Sequence, residues 1–294
     1  MKKKITTIIS GSDQNNFWML DNLCRNLNKL NINNQVDINI IDIDLKPDQK
    51  NRINKIVNSL KTVEWPIKLN FKSKNWKKLL ILRPYLREIF PGYKNYIWLD
   101  TDTIVQNSDF CYSFSEALKY KSLLMCPEND ISYNFEKSNK NFKKLLLNFY
   151  KPYGWVYKNN LRFFGYKYAK ESLFRPLFNA GVFCLRNNSL YWNIWKKKYL
   201  SIVKNSSDDY CLNMDQASLN YSIYEDSSYF GILDVKYNWL LKNKLPLLNR
   251  KKMKFYKNQI PHEEISILHY TQFDIKKKYT FQDLNFKKHK CKII

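Results

Sequence analysis

The sequence predicts an α/β fold in which a mostly parallel central sheet is flanked by helices. In the first half of the chain, short apolar segments rich in β-branched residues alternate with segments whose apolar residues recur at helical spacing. The 294 residues, of which 44% are hydrophobic, suffice for a large core, and neither an internal repeat nor a linker divides them. We therefore predict a single domain over residues 1–294.

The individual elements follow from the same patterns. Strands are predicted at residues 5–10, 37–43, 96–99, 122–126, 181–185, 229–234 and 265–269, where short apolar or β-branched runs end at polar or glycine positions. Helices are predicted at residues 17–30, 53–60, 79–90, 113–120 and 190–202, where apolar side chains recur three or four positions apart. Pro84 must begin or kink the third of these helices. Residues 127–177 show no clear period.

The formal net charge of +24 raises the question of an anionic partner. Arginine supplies only eight of the 50 basic residues, whereas nucleic-acid interfaces favour arginine because its planar guanidinium pairs with phosphates and bases. The chain is also rich in the other residue types that AT-rich codons encode. We therefore expect genome composition to supply much of the charge, and a nucleic-acid partner is not favoured. Peripheral binding to an anionic membrane surface stays open.

The cysteines and the apolar segments bear on the cellular compartment. The six cysteines are scattered, with no Cys-x-x-Cys pair and no histidine at zinc-ligand spacing. Scattered free thiols are typical of a reducing compartment, so we expect a cytoplasmic protein. The apolar run at residues 5–10 is too short for a signal peptide, and no segment approaches the roughly 20 apolar residues that span a bilayer.

Two carboxylates directly follow an apolar strand. Residues 96–99 read Tyr-Ile-Trp-Leu, and Asp100, Thr101 and Asp102 come next. Ligands of open α/β sheets bind at the carboxyl ends of strands, and side chains two apart in extended backbone point the same way. Asp100 and Asp102 are therefore candidates to share Mn²⁺ or Mg²⁺ with a diphosphate. The alternative is a solvated turn in which the aspartates cap the next segment.

A histidine lies at the end of another predicted strand. His269 ends the strand at 265–269, and neutral imidazole is a common ligand of Mn²⁺, which makes His269 a candidate third ligand. Lysines follow at 276–278, and Lys276 could neutralise a diphosphate leaving group. Lysine runs occur throughout the chain, so a solvated surface is the competing interpretation.

Two further segments combine polar and small residues. Asn179, Ala180 and Gly181 lead into an apolar strand, where small residues allow close approach of a ligand and Asn179 offers a donor and an acceptor to sugar hydroxyls. Asp215 and Gln216 begin a helix, and either could contact a transferred sugar. The alternatives are an ordinary turn and an ordinary helix N-cap at Asp215.

In this order, the segments resemble glycosyltransferase family 8, whose members have the GT-A fold. The resemblance rests on residues 96–103 (Tyr-Ile-Trp-Leu-Asp-Thr-Asp-Thr), 178–183 (Phe-Asn-Ala-Gly-Val-Phe), 215–216 (Asp-Gln) with 219–220 (Leu-Asn), and 268–270 (Leu-His-Tyr). It implies a Rossmann-like sheet with a C-terminal extension on the acceptor side. Residues 1–126 would be the nucleotide-binding half, and residues 127–294 the half that binds the acceptor and completes the site.

The resemblance also implies an activity. The chain would be a hexosyltransferase-type enzyme, metal-dependent and retaining, that moves a sugar from a nucleotide-sugar such as a UDP-sugar to a carbohydrate, lipid-linked or protein acceptor. Asp100, Asp102 and His269 would bind Mn²⁺ or Mg²⁺, and the catalytic residues facing the sugar would be Asn179, Asp215 and Gln216. The donor would be bound by Asp100 and Asp102 together with Ser10, Gly11, Ser12, Lys78, Arg83, Thr101, Ala180, Gly181 and Lys276.

Other functions stay open on the sequence. Residues 270–276 lack the glycine and tryptophan that the family often carries after the histidine. A sugar nucleotidyltransferase could also place paired carboxylates at a strand end, and it would release pyrophosphate. The second alternative is a protein without catalysis that binds nucleic acid or an anionic surface, and the third is an inverting GT-A enzyme.

Overall fold

The computed structural model describes residues 4–130, 132–133, 154–271 and 277–292. The strands in these ranges are β1 (Thr6–Ser12), β2 (Asp37–Asp42), β3 (Ser59–Thr62), β4 (Asn95–Leu99), β5 (Thr103–Val105), β6 (Leu123–Pro127), β7 (Phe178–Arg186), β8 (Phe230–Ile232), β9 (Trp239–Leu240), β10 (Leu247–Asn249), β11 (Lys254–Tyr256), β12 (Ile267–His269), β13 (Tyr279–Gln282) and β14 (Lys288–Cys291). The α-helices are α1 (Phe17–Lys29), α2 (Pro47–Asn54), α3 (Lys78–Leu82), α4 (Leu86–Ile89), α5 (Asp109–Ala117), α6 (Trp155–Phe164), α7 (Tyr166–Glu171), α8 (Tyr191–Lys204) and α9 (Asp215–Glu225). Short 3-10 helices lie at Ile32–Asn34, Asn75–Lys77, Arg83–Tyr85, Asp209–Met214 and Val235–Tyr237.

A seven-stranded sheet forms the centre of the fold. Its strand order is β3-β2-β1-β4-β7-β6-β8. All neighbouring pairs are parallel except the two that involve β7, which runs antiparallel to β4 and β6. The predicted α/β class with a mostly parallel central sheet is therefore confirmed. Because β7 is reversed, its first residues lie at the same edge of the sheet as the last residues of β4 and β6.

Apolar side chains cover both faces of this sheet. Successive side chains of a strand point to opposite faces, and in β4 the side chains of Tyr96 and Trp98 enter one core cluster while those of Ile97 and Leu99 enter the other. The first cluster includes most of the buried aromatic residues of α8. The second holds the apolar faces of α1 and α5. The sheet is therefore buried between two helical layers, as its nearly continuous apolar strands require.

A smaller three-stranded sheet lies beyond the carboxyl end of β4. Its order is β5-β12-β9, with β12 antiparallel to β5 and parallel to β9. β5 begins only four residues after β4 ends, so the pairing attaches the C-terminal part of the chain to the edge of the central sheet. This pairing determines which side chains meet at that edge.

Two predicted helices differ from the structure. Residues 53–60 were expected to be helical, but α2 ends at Asn54 and Leu60 lies in β3, opposite Ile40 of β2. The apolar spacing fits both structures, and pairing with the sheet decides between them. Residues 79–90 form α3, a 3-10 turn and α4 instead of one helix, because Pro84 has no N–H to continue the hydrogen-bond ladder.

Two further sequence predictions can be compared with the structure. All six cysteines are free thiols, and five of them are buried. Among the helices of the described ranges, none is long and apolar enough to cross a membrane. The division of the chain at residue 126 stays a prediction.

The aromatic core beneath α5 gives a stability prediction. Phe114 is fully buried and makes edge contacts with Phe110 (5.6 Å between ring centroids) and Tyr237 (5.4 Å). We expect Phe114→Ala to lower the free energy of unfolding by about 3–5 kcal/mol, because it leaves a cavity. Denaturant unfolding measures this change. Tyr112→Ala on the same helix is the control. Because Tyr112 is 70% exposed, its replacement should change the free energy of unfolding by no more than about 0.5 kcal/mol. Equal losses of stability in the two variants would contradict the burial of Phe114 in the core.

Candidate functional site

A closed turn carries the two aspartates beyond β4. The N–H of Asp100 donates to the carbonyl of Gly181 (2.8 Å), which extends the β4–β7 pairing by one residue. The N–H of Thr103 (3.2 Å) and its hydroxyl (2.7 Å) both donate to the carbonyl of Asp100 and close the turn. Asp100 and Asp102 were expected to converge because alternate side chains of an extended backbone point the same way. That reason is wrong, because the two residues lie in a turn. The turn and the strand after it bring their carboxylates together.

The pairing of β5 with β12 brings a histidine to this turn. Thr103 lies opposite His269, and the next N–H, that of Tyr270, donates to the carbonyl of Asp102 (3.0 Å). His269 Nε2 lies 3.1 Å from Oδ1 of Asp102 and 3.9 Å from Oδ2 of Asp100. One ligand atom from each of the three residues lies within 4.8 Å of the others. Carboxylate oxygens and an imidazole nitrogen at this spacing are a donor set that suits Mn²⁺.

The charges of this cluster depend on one another. Burial disfavours the imidazolium, but the carboxylates of Asp102 and Asp100 together outweigh burial and raise the pKa of His269 above its usual value. Burial also opposes ionisation of Asp102, yet His269 holds the pKa of that carboxyl below its usual range. Each group therefore stabilises the charged form of the other. A cation between them would take the place of the imidazolium proton as the positive charge.

Arg83 connects this cluster to a third carboxylate. Its guanidinium is buried and donates to Asp100 and to Asp215 (2.7 Å), while it lies 5.0 Å from the ring of Trp98. The indole N–H of Trp98 donates to the same Asp100 oxygen (2.6 Å). Asp100 Oδ1 is therefore satisfied by Arg83 and Trp98, which leaves Oδ2 on the side of His269. Burial raises the pKa of Asp215, against the opposing effect of Arg83.

The start of β7 forms the floor beneath His269. A side chain at Gly181 would place its Cβ 2.2 Å from Cε1 of His269, so the imidazole rests directly on the glycine backbone. The Oδ1 of Asn179 accepts from the N–H of Gly181 (2.9 Å), and its Nδ2 donates to Glu128 (2.9 Å). The small residues at the start of β7 were expected to leave room for a bound substrate. At Gly181 they leave room for the imidazole of His269 instead.

Gln216 is held by the same strand. Its Oε1 accepts from the N–H of Ala180 (3.0 Å), and its Nε2 donates to Glu128 (3.1 Å). Glu128 thus receives hydrogen bonds from both Asn179 and Gln216, at the end of β6. Three neighbouring strands, β4, β7 and β6, therefore contribute to one polar network at the sheet edge.

Two cavities open on either side of the acidic cluster. The first has a volume of about 310 Å³ and reaches from Asp100, Asp102 and His269 past Asp215 and Gln216 to α6 and α7. The second, of about 330 Å³, reaches from the same two aspartates to the end of β1 and the start of α1. Both cavities are lined by Trp76, Leu80, Arg83, Asp100 and Asp102. The acidic cluster therefore lies where an elongated ligand would pass from one cavity to the other.

The sequence as a whole matches one protein family. The profile of glycosyl transferase family 8 matches residues 8–276. The chain belongs to glycosyl transferase family 8. It is therefore a glycosyltransferase of the hexosyltransferase type that takes its sugar from a nucleotide-sugar, and neither a nucleotidyltransferase nor a non-catalytic binding protein is favoured. No curated protein sequence gives a match.

Solved structures show the fold of this family 8 glycosyltransferase independently. The galactosyltransferase LgtC in complex with donor and acceptor sugar analogs has a TM-score of 0.55 at 12% identity, over 90% of this chain and 87% of that one. Mouse xyloside xylosyltransferase 1 has a TM-score of 0.53 at 12% identity, over 92% and 99%. The glycosyltransferase GlyE of Streptococcus pneumoniae TIGR4 has 0.51 at 15% identity, over 93% and 58%. The GT-A fold expected from the sequence is thereby confirmed.

The structure of this transferase places most of the predicted site residues around one or both of the two cavities. Around the first cavity it brings together Arg83, Asp100, Asp102, Asn179, Gly181, Asp215, Gln216 and His269. Around the second it brings together Gly11, Ser12, Arg83, Asp100, Thr101 and Asp102. Neither set of lining residues contains Ser10, Ala180 or Lys78, and the ammonium of Lys78 lies 5.8 Å from the ring of Trp65. Lys276 lies outside the described residues.

Sequence reasoning missed three side chains that hold the site of this transferase. Trp98 was read only as a strand residue, although its indole N–H donates to Asp100. Glu128 and Asn238 were not singled out, although they contact Gln216 and His269. Glu128 directly follows an apolar strand, as Asp100 does, and that position could have identified it. Asn238 lies between a 3-10 helix and a two-residue strand, and its position gave no comparable signal.

The contact between Gly181 and His269 gives a prediction. Gly181→Ala should displace the imidazole, because the added Cβ would lie 2.2 Å from its Cε1. We expect Mn²⁺ to bind on the order of 10-fold more weakly, the scale typical of disturbed ligand orientation. Electron paramagnetic resonance of free Mn²⁺ measures this affinity in the presence of nucleotide.

Gly154→Ala provides the matched control, since no atom of the described residues lies within 4 Å of a Cβ at Gly154. This variant should bind Mn²⁺ as the wild type does. Unchanged Mn²⁺ affinity in a folded Gly181→Ala protein would contradict the role of His269.

Proposed function

We propose that this glycosyltransferase is metal-dependent and transfers the sugar of a UDP-sugar with retention of configuration. The observation that carries the proposal is the convergence of Asp100, Asp102 and His269 at the junction of the two cavities. These residues would hold Mn²⁺ or Mg²⁺, which would supply positive charge to a diphosphate leaving group. A donor lying across the junction would place its diphosphate at the cluster, its nucleoside in one cavity and its sugar in the other.

The charge balance of the site supports a divalent cation. Asp100, Asp102 and Asp215 contribute three negative charges, and Arg83 contributes one positive charge within the same contacts. With a neutral His269 the cluster carries a charge of two minus, which is unfavourable in a partly buried site. One divalent cation would neutralise it. The diphosphate would then bring further negative charge, and Lys276 stays a prediction for neutralising it.

The second cavity is the proposed nucleoside site. Gly11, Ser12 and Asp13 at the end of β1 line it, together with Asn16 before α1. Gly11 permits close packing here, because a Cβ at that position would lie 2.5 Å from a methyl group of Leu79. The position of Gly11 and Ser12 in the lining of this cavity supports donor binding by both residues. Ser10 does not line the cavity, and its buried hydroxyl has no hydrogen-bond partner within the described structure.

The first cavity is the proposed site of the transferred sugar. Asp215 and Gln216 line it next to the acidic cluster, and each is oriented by at least one hydrogen bond: Arg83 donates to Asp215, and Ala180 donates to Gln216. We propose that Gln216 or Asp215 lies nearest the anomeric carbon and stabilises its developing positive charge. Asn179 contributes by orienting Gln216, to whose Oε1 its amide donates (3.4 Å).

The outer wall of the first cavity is the proposed acceptor side. α6 contributes Trp155, Asn159 and Asn160 to this wall, and Arg175 follows α7. Trp155 is 61% exposed although it lines the cavity. An exposed indole beside two amides suits the apolar face and the hydroxyls of a carbohydrate. The acceptor is therefore proposed to be a carbohydrate, free or attached to a lipid or protein.

Nucleotide binding tests the donor site. We expect UDP with Mn²⁺ to stabilise the protein by roughly 2.7 kcal/mol at about 100 times its dissociation constant, and UDP with EDTA to give a much smaller effect. Thermal unfolding with UDP, GDP, ADP and CDP measures the response and identifies the base. Asp102→Asn should lose the Mn²⁺-dependent part, because it removes one of the charges that hold the cation.

Asp48→Asn on α2 is the matched control, since Asp48 is exposed and remote in sequence from the cluster. It should respond to UDP and Mn²⁺ as the wild type does. An Asp102→Asn protein with the full metal-dependent response, and with wild-type sugar transfer, would refute the metal assignment.

The acceptor wall gives a separate prediction. Trp155→Ala should lower the kcat/KM for transfer to a saccharide acceptor roughly tenfold, because about 1.4 kcal/mol of apolar contact with a sugar ring is lost. The response to UDP and Mn²⁺ should not change. Tyr120→Ala, at a side chain that is 81% exposed in the turn after α5, controls for the loss of a surface aromatic residue. Equal kcat/KM values in the Trp155 variant and the wild type would place the acceptor elsewhere.

Two further proposals concern the location of the protein. Cytoplasmic location is supported by the free thiols of all six cysteines. Peripheral binding to an anionic membrane is supported by the net charge of +24 and by exposed apolar residues of α6 and α7, namely Trp155, Leu161 and Tyr166. Absence of cosedimentation with anionic vesicles at low salt would dispose of the membrane prediction.

A further inference from the structure

His269 makes a second polar contact on the side that faces away from the acidic cluster. Its Nε2 faces Asp100 and Asp102, and its Nδ1 lies 3.0 Å from Oδ1 of Asn238. The side chains of His269 and Asn238 are both buried, so water does not compete for this contact. The partner of Nδ1 therefore decides which ring nitrogen carries the proton in the neutral imidazole.

The hydrogen-bond network fixes the orientation of the Asn238 amide. The N–H of Gly181 can only donate, so the Asn179 atom 2.9 Å from it must be the amide oxygen. That oxygen also lies 2.9 Å from the Asn238 amide, which must therefore present its nitrogen. Asn238 is left with its oxygen towards His269, and an oxygen accepts. In the neutral imidazole Nδ1 must then carry the proton, and the lone pair of Nε2 points to the acidic cluster.

We propose that Asn238 is a positioning residue for the metal ligand His269, and that Asn179 acts through it. The inference rests on the proposed function, because it concerns the same cation. A metal ion binds the lone pair of a deprotonated ring nitrogen, so only the tautomer with Nδ1–H can offer Nε2 as a ligand. Asn238 selects this tautomer and holds the plane of the ring before the cation arrives.

The backbone around Asn238 is suited to this role. Its N–H donates to the carbonyl of Val235 (3.0 Å), and its carbonyl accepts from the hydroxyl of Tyr133 (3.2 Å). The next residues form β9, which pairs with β12 so that Leu240 lies beside His269. Asn238 and His269 are therefore held by neighbouring strands and cannot separate without breaking that pairing.

An amide at this position has a different consequence from a carboxylate. Many metal-binding histidines donate to a carboxylate, which adds a negative charge to the site. The cluster here already contains three carboxylates and one arginine. The neutral amide of Asn238 orients the imidazole without a further buried charge.

Mn²⁺ affinity in the presence of saturating UDP tests the proposal, with free Mn²⁺ measured by electron paramagnetic resonance. Asn238→Ala should raise the Mn²⁺ dissociation constant by about 10- to 100-fold. Asn238→Leu is close to asparagine in shape but offers Nδ1–H no acceptor, so it should raise the dissociation constant by a similar factor. In a His269→Ala background, Asn238→Ala should change the dissociation constant less than about twofold, because the residue through which it acts is absent.

Asn39→Ala is the matched control. Asn39 is as buried as Asn238 and likewise contacts two side chains, since its amide donates to Thr7 (2.9 Å) and Tyr93 (3.0 Å) at the opposite end of β1. It should leave Mn²⁺ affinity unchanged even if it lowers the melting temperature.

Three results would overturn the inference. Wild-type Mn²⁺ affinity in Asn238→Ala, or an equal loss with and without His269, would show that Asn238 does not act through the imidazole. Wild-type Mn²⁺ affinity in Asn238→Leu would do the same, and that variant carries the test if the alanine variant does not fold. If the wild type itself binds no Mn²⁺ with UDP, the proposed metal dependence fails together with the role of Asn238. If the wild type binds Mn²⁺ and the variants give one of the three results above, only the role of Asn238 fails.

Discussion

The site depends on one buried guanidinium. Asp100 and Asp215 lie close together out of contact with most of the solvent, and two such carboxylates repel each other unless a cation lies between them. Arg83 provides that charge and connects the end of β4 to the start of α9. The indole of Trp98 donates to the carboxylate of Asp100, and the indole of Trp195 donates to the backbone carbonyl of Asp215. Asp100 in the acidic cluster and Asp215 beside the first cavity therefore hold fixed positions relative to each other.

The residues that carry charge could be predicted because they lie at strand ends. Asp100, Asp102 and His269 each follow or end an apolar segment, and the topology of a parallel sheet brings such ends to one edge. The sequence could not show how the three would meet. That depends on the register of β5 against β12, in which Thr103 lies opposite His269, and a three-residue pairing leaves no pattern in composition or period.

The residues that hold the charged groups were harder to predict. Asn238 and Glu128 are polar side chains in short connections, where polar residues are expected for other reasons, and only the folded chain shows that their partners are His269 and Gln216. The strand β3 was missed for a related reason. Its residue Leu60 continues a helical spacing in the sequence, but in the structure it pairs with the edge of the sheet at β2. In both cases contacts distant in sequence outweigh the local pattern.

The reversed direction of β7 has a consequence for how this enzyme can diversify. Pro127 at the end of β6 lies opposite Phe178 at the start of β7, and the N–H of Glu128 donates to the carbonyl of Leu177 (2.7 Å). The excursion of residues 128–177 thus leaves the sheet after Pro127 and rejoins it at Phe178, and these two residues are neighbours in the sheet. Glu128 and Tyr133, near the start of this excursion, hold Gln216 and Asn238 and would have to be kept. The residues after them could vary in length without altering the strands on either side, so the proposed acceptor wall on α6 could change while the groups at the sheet edge are kept.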